Sequence, residues 1–143
     1  MTNQHNICPF HLAIPVYDLK ISRDFYDNVL ELPRGRSSEK WTDYNFFGHQ
    51  LVIHEVTKST SQIETNSVDG KEVPVPHFGV VLHMEDWQEF AKKLIKKKVS
   101  FVIEPYVRFA GQTGEQATLF FYDPCGNALE FKAFKNHDQL FAK

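Results

Sequence analysis

Gln116-Ala-Thr-Leu-Phe-Phe-Tyr-Asp-Pro-Cys-Gly-Asn-Ala-Leu-Glu-Phe-Lys-Ala-Phe134 reads as two strands joined by a tight turn. Thr118–Tyr122 is β-branched and aromatic. Asp123-Pro124-Cys125-Gly126-Asn127 is turn chemistry: Pro presets φ, while Gly and Asn accept left-handed backbone. Ala128–Phe134 is the return strand. Strand residues alternate between faces. Leu129, Phe131 and Ala133 therefore share one face, and Ala128, Glu130 and Lys132 the other. Glu130 is the anomaly, because a carboxylate within an apolar strand is costly unless it is solvated, paired or bound to a cation.

The same stretch, Tyr-Asp-Pro-x-Gly-Asn-x-x-Glu, resembles the closing hairpin of the vicinal oxygen chelate superfamily, which holds glyoxalases, bleomycin-resistance proteins and extradiol dioxygenases. Phe25-Tyr26-x-x-Val29-Leu30-x-Leu32 is similar to that family's first helix. The resemblance implies that Glu130 is a metal ligand.

The remainder of the chain fits one domain. Its 143 residues suffice for a single core. Hydrophobic residues at 42% and charged residues at 24% are ordinary for a globular protein. Thirteen Phe point to an aromatic-rich core or pocket. A formal net charge of -2 gives no reason to expect nucleic acid or an anionic membrane as partner. No apolar run has membrane-span length, and the start of the chain has no signal-peptide pattern. Cys8 and Cys125 do not make a disulfide framework. These features lead to the expectation of a cytoplasmic protein with two reduced thiols.

Ile7–Val16 is expected as a strand, with Asp18 capping a helix over Leu19–Leu30 whose stripe is Ile21, Phe25 and Val29, with Tyr26 and Leu30 beside it. Trp41–Phe47 and Leu51–Val56 are expected as strands around a Gly48-His49 turn. Thr57–Gly70 is polar and reads as a linker or excursion loop, followed by extended Val73–Pro76. His77–His83 is expected as a strand. A capping box at Asp86 and Glu89 would start the next helix, with Trp87, Phe90, Ala91, Leu94 and Ile95 inward and the lysines of 92–98 solvated. Phe101–Glu104 reads as a short strand and Pro105–Glu115 as a loop.

The order strand, helix, three strands occurs twice. His11-Leu-Ala-Ile-Pro-Val opens one copy and His77-Phe-Gly-Val-Val-Leu the other. The expected fold is α+β: two βαβββ modules (about 7–56 and 77–134, with a linker over about 57–76) forming a cup-shaped mixed sheet with helices on the outer faces, as the resemblance implies.

By strand alternation His11, His77 and Glu130 each point away from the apolar, helix-covered face. The resemblance implies that these three are the ligands of one divalent metal at the centre of the cup. Two imidazoles and a carboxylate are the usual set of non-haem Fe(II) oxygenases, so Fe(II) is favoured, with Mn, Zn and Ni as alternatives. Glyoxalase-type lyases of the family carry a further Glu late in the first module. Val52 aligns with it, and a valine cannot bind metal. This favours extradiol-type chemistry over isomerisation on a small substrate with vicinal oxygens. A sequestering drug-resistance protein, a glyoxalase-like lyase and a thiol transferase remain as alternatives.

His54 shares the face of Val52 and could move a proton, or could simply fill a wet cup. His49, read in the turn, has the same two readings. Arg108, read in a loop, could take an acidic substrate group by two parallel hydrogen bonds or make a surface pair with Glu115. Phe120, Tyr122, Phe47 and Trp41 could line the cup or belong to the core. His83 reads as structural or exposed; His5 and His137 fall in tails. The resemblance also makes a homodimer possible, and the long linker could permit module exchange between chains.

Overall fold

The computed structural model describes residues 7–58 and 62–143; His5 lies outside them. The chain divides into two compact units, 1–58 and 59–143. In the first, β1 (His11–Val16), β2 (Arg34–Ser37), β3 (Trp41–Phe46) and β4 (His49–Glu55) form a sheet of order β1-β4-β3-β2. In the second, β7 (Val81–Leu82), β8 (Phe101–Arg108), β9 (Gln116–Tyr122) and β10 (Ala128–Phe134) form a sheet of order β7-β10-β9-β8. The two orders are the same permutation. In each, the first strand lies parallel to the last and the other pairs are antiparallel. The repeated βαβββ order is therefore a structural duplication within a mixed α+β fold.

Asp18 caps α1 (Leu19–Asp24) as expected, its Oδ1 accepting from the Ile21 N–H at 3.1 Å. The helix continues as a π-helical turn over Phe25–Val29. The buried stripe is Leu19, Ser22, Tyr26 and Leu30, and Ile21 is exposed. The stripe expected on Ile21, Phe25 and Val29 is thus rotated by about one residue. Ser22 makes a polar residue acceptable there by donating to the Asp18 carbonyl at 2.7 Å. These side chains cover Ile14, Val16, Leu51, Ile53, Thr42 and Tyr44, all buried.

β10 buries Leu129, Phe131 and Ala133 completely, on the face expected. They pack beneath α2 (Met84–Lys96), which buries Trp87, Phe90, Ala91 and Leu94. Each large apolar side chain so buried contributes about 1.5–3 kcal/mol. The Trp87 Nε1–H donates to the Phe131 carbonyl at 2.8 Å, fixing the helix over the sheet. Two details differ from expectation. The N-cap is His83, without a side-chain cap bond, so Asp86 and Glu89 lie inside the helix and form no capping box. Ile95 is exposed.

The polar stretch read as a linker contains a hairpin: β5 (Glu64–Val68) and β6 (Lys71–Val75) pair around Asp69-Gly70. Asp69 at φ 51° and Gly70 at φ 73° are both left-handed, as a two-residue hairpin turn of the I′ kind requires. The hairpin is a two-stranded sheet of its own. Its Val73 joins Ile103, Phe120 and Tyr106 in an apolar cluster.

Candidate metal-binding and substrate-binding residues

The second unit brings His77 and Glu130 together. His77 precedes β7, where Phe78 bridges to Leu129. The Phe78 N–H donates to the Ala128 carbonyl at 3.1 Å, and the Glu130 N–H to the Phe78 carbonyl at 2.8 Å. Gly79 permits this approach, since a Cβ there would lie 1.5 Å from the Glu130 carbonyl oxygen. Any other residue would push the His77 segment off β10.

His77 Nε2 then lies 3.1 Å from Glu130 Oε2, with side chains 31% and 12% exposed. On the ring's other side Nδ1 lies 2.6 Å from the Pro74 carbonyl. A carbonyl oxygen only accepts, so Nδ1 carries a proton and donates it. In the neutral ring Nε2 is then a bare lone pair facing a carboxylate oxygen. Two acceptors at that separation need a cation between or beside them, either a proton on Nε2 or a metal ion. Thr118 holds the carboxylate from the other side, its hydroxyl donating to Glu130 Oε1 at 2.7 Å. Phe120 packs edge-on against the His77 ring, centroids 5.0 Å apart. Among the described residues of this unit, no third His, Cys, Asp or Glu joins the pair.

The same face of the β8-β9-β10 sheet carries Tyr106 opposite Thr118 and Arg108 opposite Gln116. Arg108 is the last residue of β8 and not part of a loop, because the strand runs on through an irregularity between Ile103 and Tyr106. Its Nε donates to Asp69 Oδ2 at 2.6 Å, so its ion-pair partner is the hairpin tip. Glu115, the partner expected from sequence, instead accepts from the Gly111 N–H and pairs with Lys135. Tyr106 is held above the ordinary phenol range, first by burial; Arg108 opposes this, while the Asp69 and Glu130 carboxylates add to it. The phenol is therefore a hydrogen-bond donor within electrostatic reach of Glu130. Tyr106 and Thr118 are site-face residues that sequence reading missed; strand alternation from Phe120, which lies opposite Glu130, would have found Thr118. Tyr122 is half-buried, across from Ala128.

In the first unit His11 is held by a polar chain. Its Nδ1 lies 2.7 Å from Gln50 Oε1. Gln50 Nε2 donates to Asp43 Oδ2 at 3.3 Å, and Arg36 Nε lies 3.6 Å from the same oxygen. A carboxylate only accepts, so the amide nitrogen faces Asp43 and the amide oxygen faces His11. Nδ1 is again the protonated nitrogen and Nε2 the lone-pair donor. Both candidate histidines are thus oriented as outer partners orient metal-ligating imidazoles. Asp43 and Gln50 carried no sequence signal because each belongs to a different strand. Val52, buried, pairs with Ala13 and Asp43.

His54 lies on the face of Val52 and is exposed. His49 is not in the turn, which is Phe47-Gly48; it opens β4, and its Nδ1 accepts the Phe10 N–H at 2.8 Å. That bond anchors the entry to β1. Phe47 packs edge-on to Phe46, and the Arg36 guanidinium sits over the Trp41 ring. His83 and His137 are exposed and pack ring to ring, centroids 4.4 Å apart. Cys8 and Cys125 are free thiols. Among the described residues no helix is long and apolar enough to cross a membrane.

Residues 9–131 match the family described as the Glyoxalase/Bleomycin resistance protein/Dioxygenase superfamily. No curated protein matches the chain by sequence. Among solved structures, a glyoxalase/bleomycin resistance protein/dioxygenase from Alicyclobacillus acidocaldarius is similar at 28% identity and TM-score 0.79, covering 99% of this chain and 100% of that one. An integron cassette protein from the mobile metagenome of a Halifax Harbour sewage outfall is similar at 25% identity and TM-score 0.64, covering 88% and 97%. A fosfomycin resistance protein from Listeria monocytogenes shares the fold at 19% identity and TM-score 0.64, covering 94% and 97%.

Proposed function

The chain belongs to the glyoxalase/bleomycin resistance/dioxygenase superfamily, and from that premise we propose that it is a metal-dependent enzyme acting on a small substrate with vicinal oxygens. The observation that carries the proposal is the His77–Glu130 pair. The Pro74 carbonyl fixes the His77 proton on Nδ1 and turns the Nε2 lone pair toward a carboxylate 3.1 Å away. That donor set fits a divalent cation: a neutral imidazole and an anionic oxygen, with the outer atom of each already engaged. His11 enters the proposed set from the family resemblance; within its own unit its Nδ1 is engaged by Gln50.

A divalent metal there would bind both vicinal oxygens and stabilise the negative charge that develops on them. The chain's own residues do the rest. Thr118 keeps the Glu130 carboxylate from rotating. Phe120 buttresses the His77 ring. The Tyr106 phenol offers a proton donor on the same face. Val52, where lyases of the family carry a fourth ligand, leaves a two-His, one-carboxylate set. For that reason extradiol-type oxygen chemistry is the favoured reaction and Fe(II) the favoured metal.

The test is elemental analysis of protein purified without chelator. One divalent metal per chain is expected, lost in His77→Ala. A wild-type chain that takes up no divalent metal would overturn the proposal in favour of a metal-free protein that sequesters its ligand.

A further inference from the structure

The hairpin β5–β6 is bound to the face that carries Glu130 by its tip, its side and its base. At the tip Asp69 accepts from Arg108 Nε at 2.6 Å. Along its side the Lys71 ammonium sits over the Tyr106 ring, 4.9 Å from its centroid, and Val73 packs against Ile103 and Phe120. At its base the Pro74 carbonyl takes the His77 Nδ1 proton.

Arg108 is the most buried cation of this arrangement, its side chain 16% exposed, whereas Asp69 is 40% exposed. A guanidinium so placed needs an anion, and the two-residue turn at the hairpin tip supplies one. Directly opposite Arg108 in the ladder, Gln116 is buried. Its Nε2 donates to the Gly114 carbonyl at 3.3 Å, but its Oε1 is buried with no hydrogen-bond donor. Buried acceptors in this state are uncommon. The arrangement satisfies the cation with an internal carboxylate and leaves a neighbouring acceptor unfilled.

We propose that Arg108 and Gln116 form a subsite for the acidic end of the substrate, a carboxylate flanked by a hydroxyl, and that Asp69 is its resting occupant. The substrate carboxylate replaces Asp69 on the guanidinium, one anion for another. The adjacent hydroxyl donates to Gln116 Oε1. Loss of the Asp69 bond frees the hairpin tip. Because β6, the strand that leads away from that tip, carries Pro74, the release is transmitted to the carbonyl that orients His77, and substrate arrival is coupled to the alignment of a proposed metal ligand. The proposal rests on the reading of this face as the substrate-binding face.

The experiment uses the full chain after chelator treatment and follows glycolate and acetate by nitrogen and amide chemical shifts. Glycolate should bind saturably, more tightly than acetate, and move the Arg108 Nε signal, the hairpin amides and the His77 ring nitrogens together. Asp69→Asn removes the internal competitor and should tighten glycolate by about three- to fivefold, the range of a half-exposed ion pair. Arg108→Gln should abolish saturable binding, and Arg108→Lys should retain it in weakened form. Gln116→Leu should erase the preference for glycolate over acetate. Equal affinities in wild type and Asp69→Asn, or undiminished binding in Arg108→Gln, would overturn the proposal. Since no metal is present, a failure here leaves the metal reading standing. A chain that binds glycolate in this way but takes up no metal would sink the metal reading alone.

Discussion

Glu130→Gln separates the two roles of the carboxylate. The amide is isosteric, so its oxygen can keep the Thr118 hydroxyl, now at 2.7 Å. Its NH2 then faces His77 Nε2 across the 3.1 Å that now separates ring and carboxylate. A donor would meet the lone pair that the Pro74 carbonyl leaves on Nε2. One net hydrogen bond contributes about 0.5–1.5 kcal/mol, and for a chain of this size 1 kcal/mol moves Tm by about 3 °C. The metal-free variant should therefore melt at or up to about 4 °C above wild type. Metal affinity should move the other way. The change removes the only anionic ligand of the proposed set, so the loss should exceed the roughly 10–100-fold that outer-shell changes cost. Glu130→Ala should lose metal equally and also cost the metal-free protein about 1 kcal/mol, since Thr118 loses its acceptor. The assays are thermal melts of chelator-treated protein and metal titration with elemental analysis. Wild-type metal affinity in Glu130→Gln would remove Glu130 from the ligand set. A metal-free Glu130→Gln melting several degrees lower would refute the lone-pair argument, because the native pair would then be a favourable imidazolium–carboxylate bond.

Two further outcomes test the scaffold. Gly79→Ala must move backbone, as its Cβ would fall 1.5 Å from the Glu130 carbonyl oxygen; a loss of about 1–3 kcal/mol together with weakened metal binding is expected from melts and metal titration, and wild-type metal affinity would show that the close approach does not set the pair. Glu55 accepts the Leu19 N–H at 3.0 Å and pairs with Lys40, which hold its carboxyl below the ordinary range. Its contribution to stability is therefore complete above the ordinary carboxylate pKa and is lost as pH falls through the depressed value. Melts of wild type and Glu55→Ala should differ at neutral pH and converge in acid, and a gap that persists in acid would contradict this.

Alternation and turn chemistry made the duplicated strands legible because they are local. Leu129, Phe131 and Ala133 went to the covered face because a period of two leaves no other choice for an apolar strand packed on a helix. The first helix was misjudged by about one residue because residue type favours Ile21 over Ser22 for burial, whereas the fold buries Ser22, its hydroxyl satisfied by the Asp18 carbonyl, and leaves Ile21 exposed. The hairpin at 64–75 was missed although Asp69-Gly70 is a strong turn signal. Its first strand is exposed throughout and mostly polar, so no hydrophobic alternation marked the pair, and the second strand packs Val73 against Ile103, Phe120 and Tyr106. The capping box failed for a similar reason: the chain had already turned helical at Met84, held by the bond from the Trp87 N–H to the His83 carbonyl.

By itself the sequence determined the two βαβββ repeats and the family, and it nominated three residues for the proposed metal site, because each reading follows from residue type and short-range period. Only the tertiary structure decided which nitrogen of His77 carries the proton, since that depends on a carbonyl from a hairpin folded back onto it. Tertiary structure likewise assigned Arg108 to Asp69 across 39 residues, and Gln50 to His11 across two parallel strands. These are long-range partnerships between polar side chains. No local propensity encodes them, because the free energy that selects them arises only once the sheets and hairpin have brought the groups out of water and within reach of each other.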